Sequence, residues 1–333
     1  MKISSPEPAV GRGPIARTRR WFSAKDFESR DARFGVFLIA PAIAWVIIVV
    51  IVPMVTAAQL SFTDQRTPGG EANWVGLDNY ITLISDPVFR AAMGRSALWV
   101  VTNGVLQTAV ALGVALLLNR PFRGQSFVRS WVVLPWIVPS AVIAILWKWM
   151  MDASVGVINY SLLATGLRTE PVLFLSTPDN AFTSMVFINS WRLFPFIAII
   201  LLASLQSVPE EEYEAARIDG ATPGMQFKTI TFPHLAPTLT VLGLVGTLWA
   251  ANVFDLIWMI TRGGPLNVTR TAPVFIYDRA FAAFNLSSAA AASVLLLVVL
   301  TAFAATFVFL ARRQLGQLDE TLEHVAKQAG GNS

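Results

Sequence analysis

Six long apolar blocks limit the folds available to this chain. They are Phe34–Leu60, Gly94–Leu118, Val128–Met151, Phe182–Leu205, Ala236–Ile260 and Ser287–Leu310. A helix of about 20 apolar residues crosses the hydrocarbon core of a bilayer, and each block reaches that length. Only 14% of the residues are charged, whereas soluble domains have about 25%. The blocks therefore predict an all-α membrane protein with six transmembrane helices, and they exclude a soluble fold.

Basic residues flank the blocks unevenly, and this indicates the orientation. Segment 1–33 is rich in Lys and Arg, and link 119–127 holds Arg120 and Arg123 without an acidic residue. Basic loops stay on the cytoplasmic side, so both termini are predicted to be cytoplasmic. The loops flanking the fifth block run against this trend, but the first segments usually dominate. The predicted organisation is a basic cytoplasmic N-terminal segment (1–33), a transmembrane domain (34–311) and a cytoplasmic tail (312–333).

The polar loop 207–233, between the fourth and fifth blocks, carries helix signals of its own. Ser207 is a suitable N-terminal cap, and Pro209 suits a first helical turn. The acidic residues 210–212 complement the positive end of a helix dipole. Gly220 is predicted to end this helix, because glycine adopts a left-handed turn without strain.

A second short helix is predicted after the glycine. Thr222 and Pro223 are its start signals, and Pro233 is expected to close it. The loop would then hold two short helices that meet at a bend on the cytoplasmic side. A loop that merely joins two spans would carry the same signals, so they do not by themselves assign a function.

The residue types present exclude several kinds of chemistry. Cysteine is absent, and the two histidines, His234 and His324, lie far apart in the chain, so neither a disulfide nor a metal cluster is expected. The sequence lacks the G-x-x-x-x-G-K-[ST] loop that cradles phosphates. The basic residues mark the ends of spans rather than a nucleic-acid surface. The chain is predicted not to be an enzyme and to bind no cofactor itself.

One stretch of the 207–233 loop resembles a known coupling motif. It reads Glu-Ala-Ala-Arg-Ile-Asp-Gly-Ala over residues 214–221, with Phe227, Ile230 and Pro233 after it. This pattern is similar to the EAA loop of binding-protein-dependent ABC importer permeases, and residues 207–233 are called the EAA loop below. The resemblance implies that the loop docks in a cleft of a cytoplasmic ATPase. It assigns the coupling role to Glu214, Ala215, Ala216, Asp219, Gly220 and Ala221.

Other segments extend the resemblance from about Phe34 to Leu310. They include 76–80, 134–139 and 261–265, and the last of these resembles the sugar branch of the family. The resemblance implies the type I ABC importer permease fold in a bacterial inner membrane, and a first subunit of the maltose or glycerol-phosphate type. It implies as partners a second homologous permease, an ATPase dimer, an extracytoplasmic solute-binding protein and membrane lipid. ATP and Mg²⁺ are expected on the ATPase.

Polar side chains inside spans are costly and mark either a pathway or a contact between helices. Asn189, Arg192, Asn252, Asp255 and Lys148 are such residues. Two interpretations stay open at this point. The amides could join helices, Arg192 could pair with Asp255 and Lys148 could extend to the interface. Alternatively, these groups and the aromatic residues near them line a sugar pathway, since sugar rings stack on aromatic faces.

The family resemblance also places a substrate pathway in the third, fourth and fifth spans. Arg192 departs from the maltose pattern, and its guanidinium is suited to a phosphate or carboxylate on the solute. Ala250 and Val253 also depart from it, because they replace polar residues. The pathway residues implied by position are Trp136, Ser140, Asn189, Arg192, Leu193, Phe196, Gly246, Trp249, Ala250 and Val253, with Asn252 beside them.

A second class of function is an ion-coupled secondary transporter. Such carriers are commonly built from inverted repeats with broken helices near the middle of the membrane. The two halves of this sequence show no internal symmetry. The importer permease is therefore the leading prediction, with the carrier as its alternative.

Overall fold

The computed structural model describes residues 30–330, and it describes the side chains of residues 38–311. Residues 1–29 of the predicted N-terminal segment lie outside the described residues, as do residues 331–333 of the predicted tail. The division into these segments stays a prediction. The described residues separate into two compact units, which divide between Ala57 and Ala58.

Apolar helices dominate the described residues, as the long blocks predict. Five helical segments are long and apolar enough to cross a membrane, and a bent pair of helices brings the number to six. The five are Leu38–Leu60, Pro87–Leu118, Pro178–Leu205, Pro223–Ile260 and Leu286–Ala311. Between residues 30 and 330 no strand forms, and the only β feature is an isolated bridge between Thr63 and Trp74. The described part of the chain is thus all-α.

The described part of the first unit is an apolar helical segment that continues into the second unit. Helix α1 (Arg30–Val46) passes through a π turn, Ile47–Ile51, into α2 (Val52–Leu60). Pro53 lies just after the π turn, and proline cannot donate the hydrogen bond of a regular helix. The helix begins at Arg30, four residues before the predicted block.

The second unit contains the remaining helices. They are α3 (Asp78–Ser85), α4 (Pro87–Leu118), α5 (Gln125–Ile137), α6 (Ser140–Met150), α7 (Val157–Ala164), α8 (Pro178–Leu205), α9 (Glu210–Ile218), α10 (Pro223–Gln226), α11 (Phe232–Ala251), α12 (Asp255–Ile260), α13 (Ala272–Tyr277) and α14 (Leu286–Gly330). Two further π turns, Phe227–Thr231 and Asp278–Ala282, precede α11 and follow α13.

Helices α4 and α8 form the centre of the second unit. They pack against each other along their length, and small residues let their backbones approach. Ala111 and Ala115 of α4 meet Ala198 and Leu201 of α8, and all four are buried. Helix α4 starts at Pro87, where the carboxylate of Asp86 accepts a hydrogen bond of 2.7 Å from the backbone N–H of Val88. The α4–α8 pair supports the elements that hold the predicted pathway.

The third predicted span, Val128–Met151, is broken rather than straight. Helices α5 and α6 meet at an angle of 96°. Val138 and Pro139 at the junction have extended backbone conformations, because proline disfavours a helical conformation in the residue before it. Pro135 and Pro195 lie inside α5 and α8 without ending these helices.

The fifth predicted span, Ala236–Ile260, differs from the prediction at both ends. Helix α11 begins at Phe232 and follows α10 and the Phe227–Thr231 π turn without a loop, so the prediction that Pro233 closes a short helix is wrong. Pro233 is the second residue of α11, directly after the Phe227–Thr231 π turn, and this irregular turn accommodates a residue that cannot donate a helical hydrogen bond. Near the other end, residues 252–254 separate α11 from α12.

Candidate coupling loop and translocation site

The first helix of the EAA loop ends at a left-handed glycine, as predicted. Helix α9 runs from Glu210 to Ile218, and Gly220 has a φ of +78°. The backbone N–H of Ala221 donates to the carbonyl of Ala216 at 2.8 Å, which satisfies a carbonyl at the helix end. The predicted cap at Ser207 is wrong. Its hydroxyl donates to the carbonyl of Ser204 at 2.7 Å and lies 2.9 Å from His234 Nε2.

The second arm of the EAA loop is joined to the first by side chains. Thr222 caps α10, accepting a hydrogen bond from the backbone N–H of Met225 at 3.4 Å. Gln226 Nε2 donates to the carbonyl of Ala221 at 3.1 Å. The hydroxyls of Tyr213 and Thr231 lie 3.0 Å apart. The two arms therefore form one connected structure.

The outer surface of the EAA loop is exposed. Among the predicted coupling residues, Glu214, Ala215, Asp219 and Gly220 are exposed, and Ala216 and Ala221 are half-buried. A side chain that the sequence analysis did not single out is Ile218, which is 86% exposed. No atom lies within 4 Å of the position that a Cβ on Gly220 would take. The open space at the glycine bend leaves room for another surface to approach it closely.

A large cavity lies behind the EAA loop. Its volume is about 820 Å³, and it extends from the loop to the link between α4 and α5. Arg120 from that link and Tyr213, Arg217 and Phe227 from the loop are among its lining residues. Arg217 and Glu214 are 4.0 Å apart and exposed, so their ion pair contributes little to stability.

Several predicted pathway residues meet between α8 and α11. Leu193 and Phe196 of α8 line one small cavity with Gly246 and Trp249 of α11. Trp136 of α5 stacks on Phe196, with ring centroids 5.4 Å apart, and Trp249 lies 5.2 Å from the same ring. The cavity has a volume of about 20 Å³, which is room for about one water molecule. A sugar therefore needs this site to open.

Other predicted pathway residues lie elsewhere. Asn189 is fully buried, and Ala250 and Val253 belong to a hydrophobic core between α4, α6, α8 and α12. Asn252 is exposed, and its Nδ2 donates to the carbonyl of Leu248 at 2.8 Å. Ser140 is half-buried at the start of α6, outside the lining of the cavity. Whether these residues contact a solute stays a prediction.

A buried amide network links α4 with α8, and the sequence analysis missed its central residue. Asn103 Oδ1 accepts hydrogen bonds from Asn189 Nδ2 at 2.8 Å, from Gln107 Nε2 at 3.2 Å and from Ser190 Oγ at 3.3 Å. Gln107 also lines the small cavity. The sequence could have indicated this network, since Asn103 and Gln107 are polar residues four positions apart inside an apolar block. The network supports the interpretation of Asn189 as an amide that joins helices.

Arg192 and Asp255 form a loose ion pair. Arg192 Nη1 lies 3.8 Å from Asp255 Oδ2, and the side chains are 21% and 47% exposed. Nη1 itself is buried and has no hydrogen-bond partner among the described residues. Asp255 begins α12, directly after the interruption at residues 252–254. The structure therefore contains the pairing of Arg192 with Asp255, which is one of the two interpretations that the sequence left open.

Two ion pairs brace the end of the second unit opposite the EAA loop. Arg279 pairs with Asp86, and Arg270 Nη2 lies 2.8 Å from Asp278 Oδ2. Burial raises the pKa of Asp278, and the charge of Arg270 opposes that rise. Nearby, the hydroxyls of Thr261 and Thr269 are 2.7 Å apart and close the 261–269 loop. Leu266 at the tip of this loop is 84% exposed.

Comparison with known proteins decides the family. Residues 107–315 match the family described as "Binding-protein-dependent transport system inner membrane component". The chain belongs to this family. As predicted, it is a permease subunit of a binding-protein-dependent ABC importer, and the secondary-transporter alternative is not favoured.

Individual relatives of the permease support this assignment over most of its length. The trehalose/maltose transport system permease protein MalF of Thermococcus litoralis is 34% identical over 249 residues, which cover 75% of this chain and 84% of that protein. The sn-glycerol-3-phosphate transport system permease protein UgpA of Agrobacterium fabrum is 33% identical over 275 residues, covering 81% and 93%.

A solved structure confirms the predicted type I importer permease fold. A chain of a bacterial ABC transporter involved in the import of the acidic polysaccharide alginate superposes with a TM-score of 0.76 and 25% identity. The match covers 89% of this chain and 99% of that chain. A second structure of a bacterial alginate ABC transporter is a complex with a periplasmic protein that holds an alginate pentasaccharide, and it also gives a TM-score of 0.76.

Proposed function

We propose that this permease forms half of the pathway by which an ATP-driven importer takes up a sugar or sugar-like solute. A second homologous permease forms the other half, and an extracytoplasmic binding protein delivers the solute. Both termini and the EAA loop face the cytoplasm. ATP and Mg²⁺ bind to a separate ATPase dimer, and this chain has no catalytic role.

The EAA loop is the observation that supports the proposal most strongly. No side chain of its helix α9 is fully buried within the chain, and Ile218 is 86% exposed. The hydrogen bond between Tyr213 and Thr231 joins α9 to the base of α11. A displacement of α9 is therefore transmitted to α11, whose Trp249 lines the small cavity.

The solute class rests on the aromatic cluster and on the relatives. The rings of Trp136, Phe196 and Trp249 pack together in one site, and aromatic faces stack on sugar rings. Relatives at 34% and 33% identity are named for transport of trehalose or maltose and of sn-glycerol 3-phosphate.

Co-purification and uptake test the proposal together. A tag on this chain is expected to retain an ATPase and a second permease in mild detergent. Proteoliposomes of that complex, supplied with the binding protein, should take up solute only with ATP inside. Uptake by this chain alone without ATP would support the carrier instead.

A further inference from the structure

We propose that the Arg192–Asp255 pair selects neutral polyhydroxylated solutes, and that Asp255 excludes acidic ones. This inference rests on the proposed function, because it names the solute class of the same pathway. In this proposal Asp255 both pairs with Arg192 and determines which solutes can bind.

The geometry of the pair is the first argument. Arg192 Nη1 and Asp255 Oδ2 are separated by 3.8 Å, which is longer than a direct charge-assisted hydrogen bond of about 2.7–2.9 Å. Nη1 has no hydrogen-bond partner in the described structure. A buried donor without a partner is costly, so a conformation that supplies an acceptor to it is favoured. The pair therefore leaves hydrogen-bonding capacity for a solute.

The chemistry of the two groups identifies what fits. A guanidinium only donates hydrogen bonds, and an ionised carboxylate only accepts them. A hydroxyl does both, so two neighbouring hydroxyls of a sugar can accept from Arg192 and donate to Asp255. The position suits such a ring, because Leu193, the next residue, and Phe196, one turn further along α8, line the aromatic cavity with Trp249.

Charge then decides between neutral and acidic solutes. Asp255 already supplies the negative charge that Arg192 attracts. The side chain of Asp255 is 47% exposed and that of Arg192 only 21%. An incoming carboxylate or phosphate therefore meets the like charge of Asp255, while the charge of Arg192 is already matched by its partner, which is unfavourable for the anion. The sequence left two interpretations of Arg192 open, a contact with an acidic group on the solute and a pairing with Asp255, and this proposal follows from the pairing. The expected solute thus differs in charge from alginate, the acidic polysaccharide named for the solved transporter.

Saturation-transfer difference NMR on the co-purified importer in nanodiscs tests this selectivity. The probes are maltose, trehalose, glucuronate and sn-glycerol 3-phosphate. We expect at least one neutral sugar to bind at least about tenfold more tightly than either acidic probe, since a single like charge a few ångströms away supplies that factor. Asp255→Asn should raise binding of the acidic probes about tenfold, by removal of the same charge.

Two further variants keep the result interpretable. Asp64→Asn removes a carboxylate from an exposed turn, where it bonds only to Asn73 in the described structure, and it should change no binding. If Asp255→Asn does not fold, the double variant Arg192→Gln with Asp255→Asn removes both charges and should bind neutral and acidic probes alike. Size-exclusion profiles report folding.

The inference is overturned if no neutral sugar binds, if the wild type binds an acidic probe as tightly, or if removing the Asp255 charge leaves the ratio unchanged. ATP-dependent uptake separates this failure from that of the proposed function. Import of an acidic solute with ATP would refute the selectivity and leave the importer function intact. Absence of ATP-dependent uptake of any solute would refute the function.

Discussion

The hydroxyls of Tyr213 and Thr231 lie 3.0 Å apart and join helix α9 to the π turn that leads into α11. Thr231 is buried, and Tyr213 is half-buried. This bond crosses the EAA loop from its exposed helix to the base of the span that carries Trp249. It gives the loop a direct mechanical path into the membrane part of the permease.

We expect Tyr213→Phe to lower ATP-driven uptake a few-fold while the amount of permease in the membrane stays normal. The change removes one hydroxyl, and the lost hydrogen bond is worth about 1 kcal/mol. Uptake normalised to permease on immunoblots measures the effect. Tyr160→Phe is the control, because Tyr160 is 74% exposed on α7. Equal uptake by both variants would show that the bond does not transmit force.

Substitutions of Gly220 test whether the ATPase occupies the space next to the bend of the EAA loop. Its φ of +78° makes any other residue strained, by about 1–2 kcal/mol, but a Cβ there meets nothing within 4 Å of this chain. Gly220→Ala should therefore reduce uptake mildly. Gly220→Asp should abolish it at normal membrane insertion, because the longer charged side chain enters the space that the ATPase occupies.

The matched control for the bend is Gly224→Ala. Gly224 is also exposed and open around its Cβ position, but it lies in α10 without a positive φ. We expect uptake close to wild type. If Gly220→Asp transports as well as Gly224→Ala does, the coupling role of the bend is refuted.

Asn103 should be important for stability rather than for coupling. Asn103→Ala leaves the amide of Asn189, the amide of Gln107 and the hydroxyl of Ser190 without their shared acceptor. We expect a loss of about 2 kcal/mol, from interhelical bonds of about 0.6 kcal/mol each plus desolvation. Thermal unfolding in detergent measures it. Asn252→Ala should cost less, since its amide, as far as the structure describes, donates only to Leu248 of the helix that it directly follows.

Much of this architecture follows from the sequence, because span length and turn chemistry are local properties. The apolar blocks, the helix 210–218 and the left-handed Gly220 were all readable without a structure. The partner of Asn189 was not, since Asn103 lies 86 positions away. The block Val128–Met151 was predicted as one span, and its 96° bend at Pro139 depends on packing against α8 and α12. The prediction that Pro233 closes a short helix was wrong because a helical π turn leads directly into α11.

The substitution Trp249→Ala tests whether the aromatic site contacts the solute. Its ring packs 5.2 Å from that of Phe196, and burial of an aromatic side chain against a sugar is lost on truncation. Trp249→Ala should weaken uptake about tenfold, as a loss of about 1.4 kcal/mol implies, with ATPase activity still coupled to the binding protein. Trp131→Ala is the control, since Trp131 is 60% exposed on α5 and lies beside Phe127. Unchanged uptake kinetics for Trp249→Ala would remove this residue from the pathway.

The docking of the EAA loop on an ATPase is the central claim, and site-directed cross-linking tests it most directly. The chain has no cysteine, so Ile218→Cys places a single thiol on the 86% exposed position of α9. Leu266→Cys places one on the 84% exposed loop at the opposite end. With a short thiol-to-amine cross-linker on the purified complex, Ile218→Cys should yield a permease–ATPase product, and Leu266→Cys should yield none. Equal products from both positions, or none from Ile218→Cys in a complex that retains its ATPase, would contradict the account.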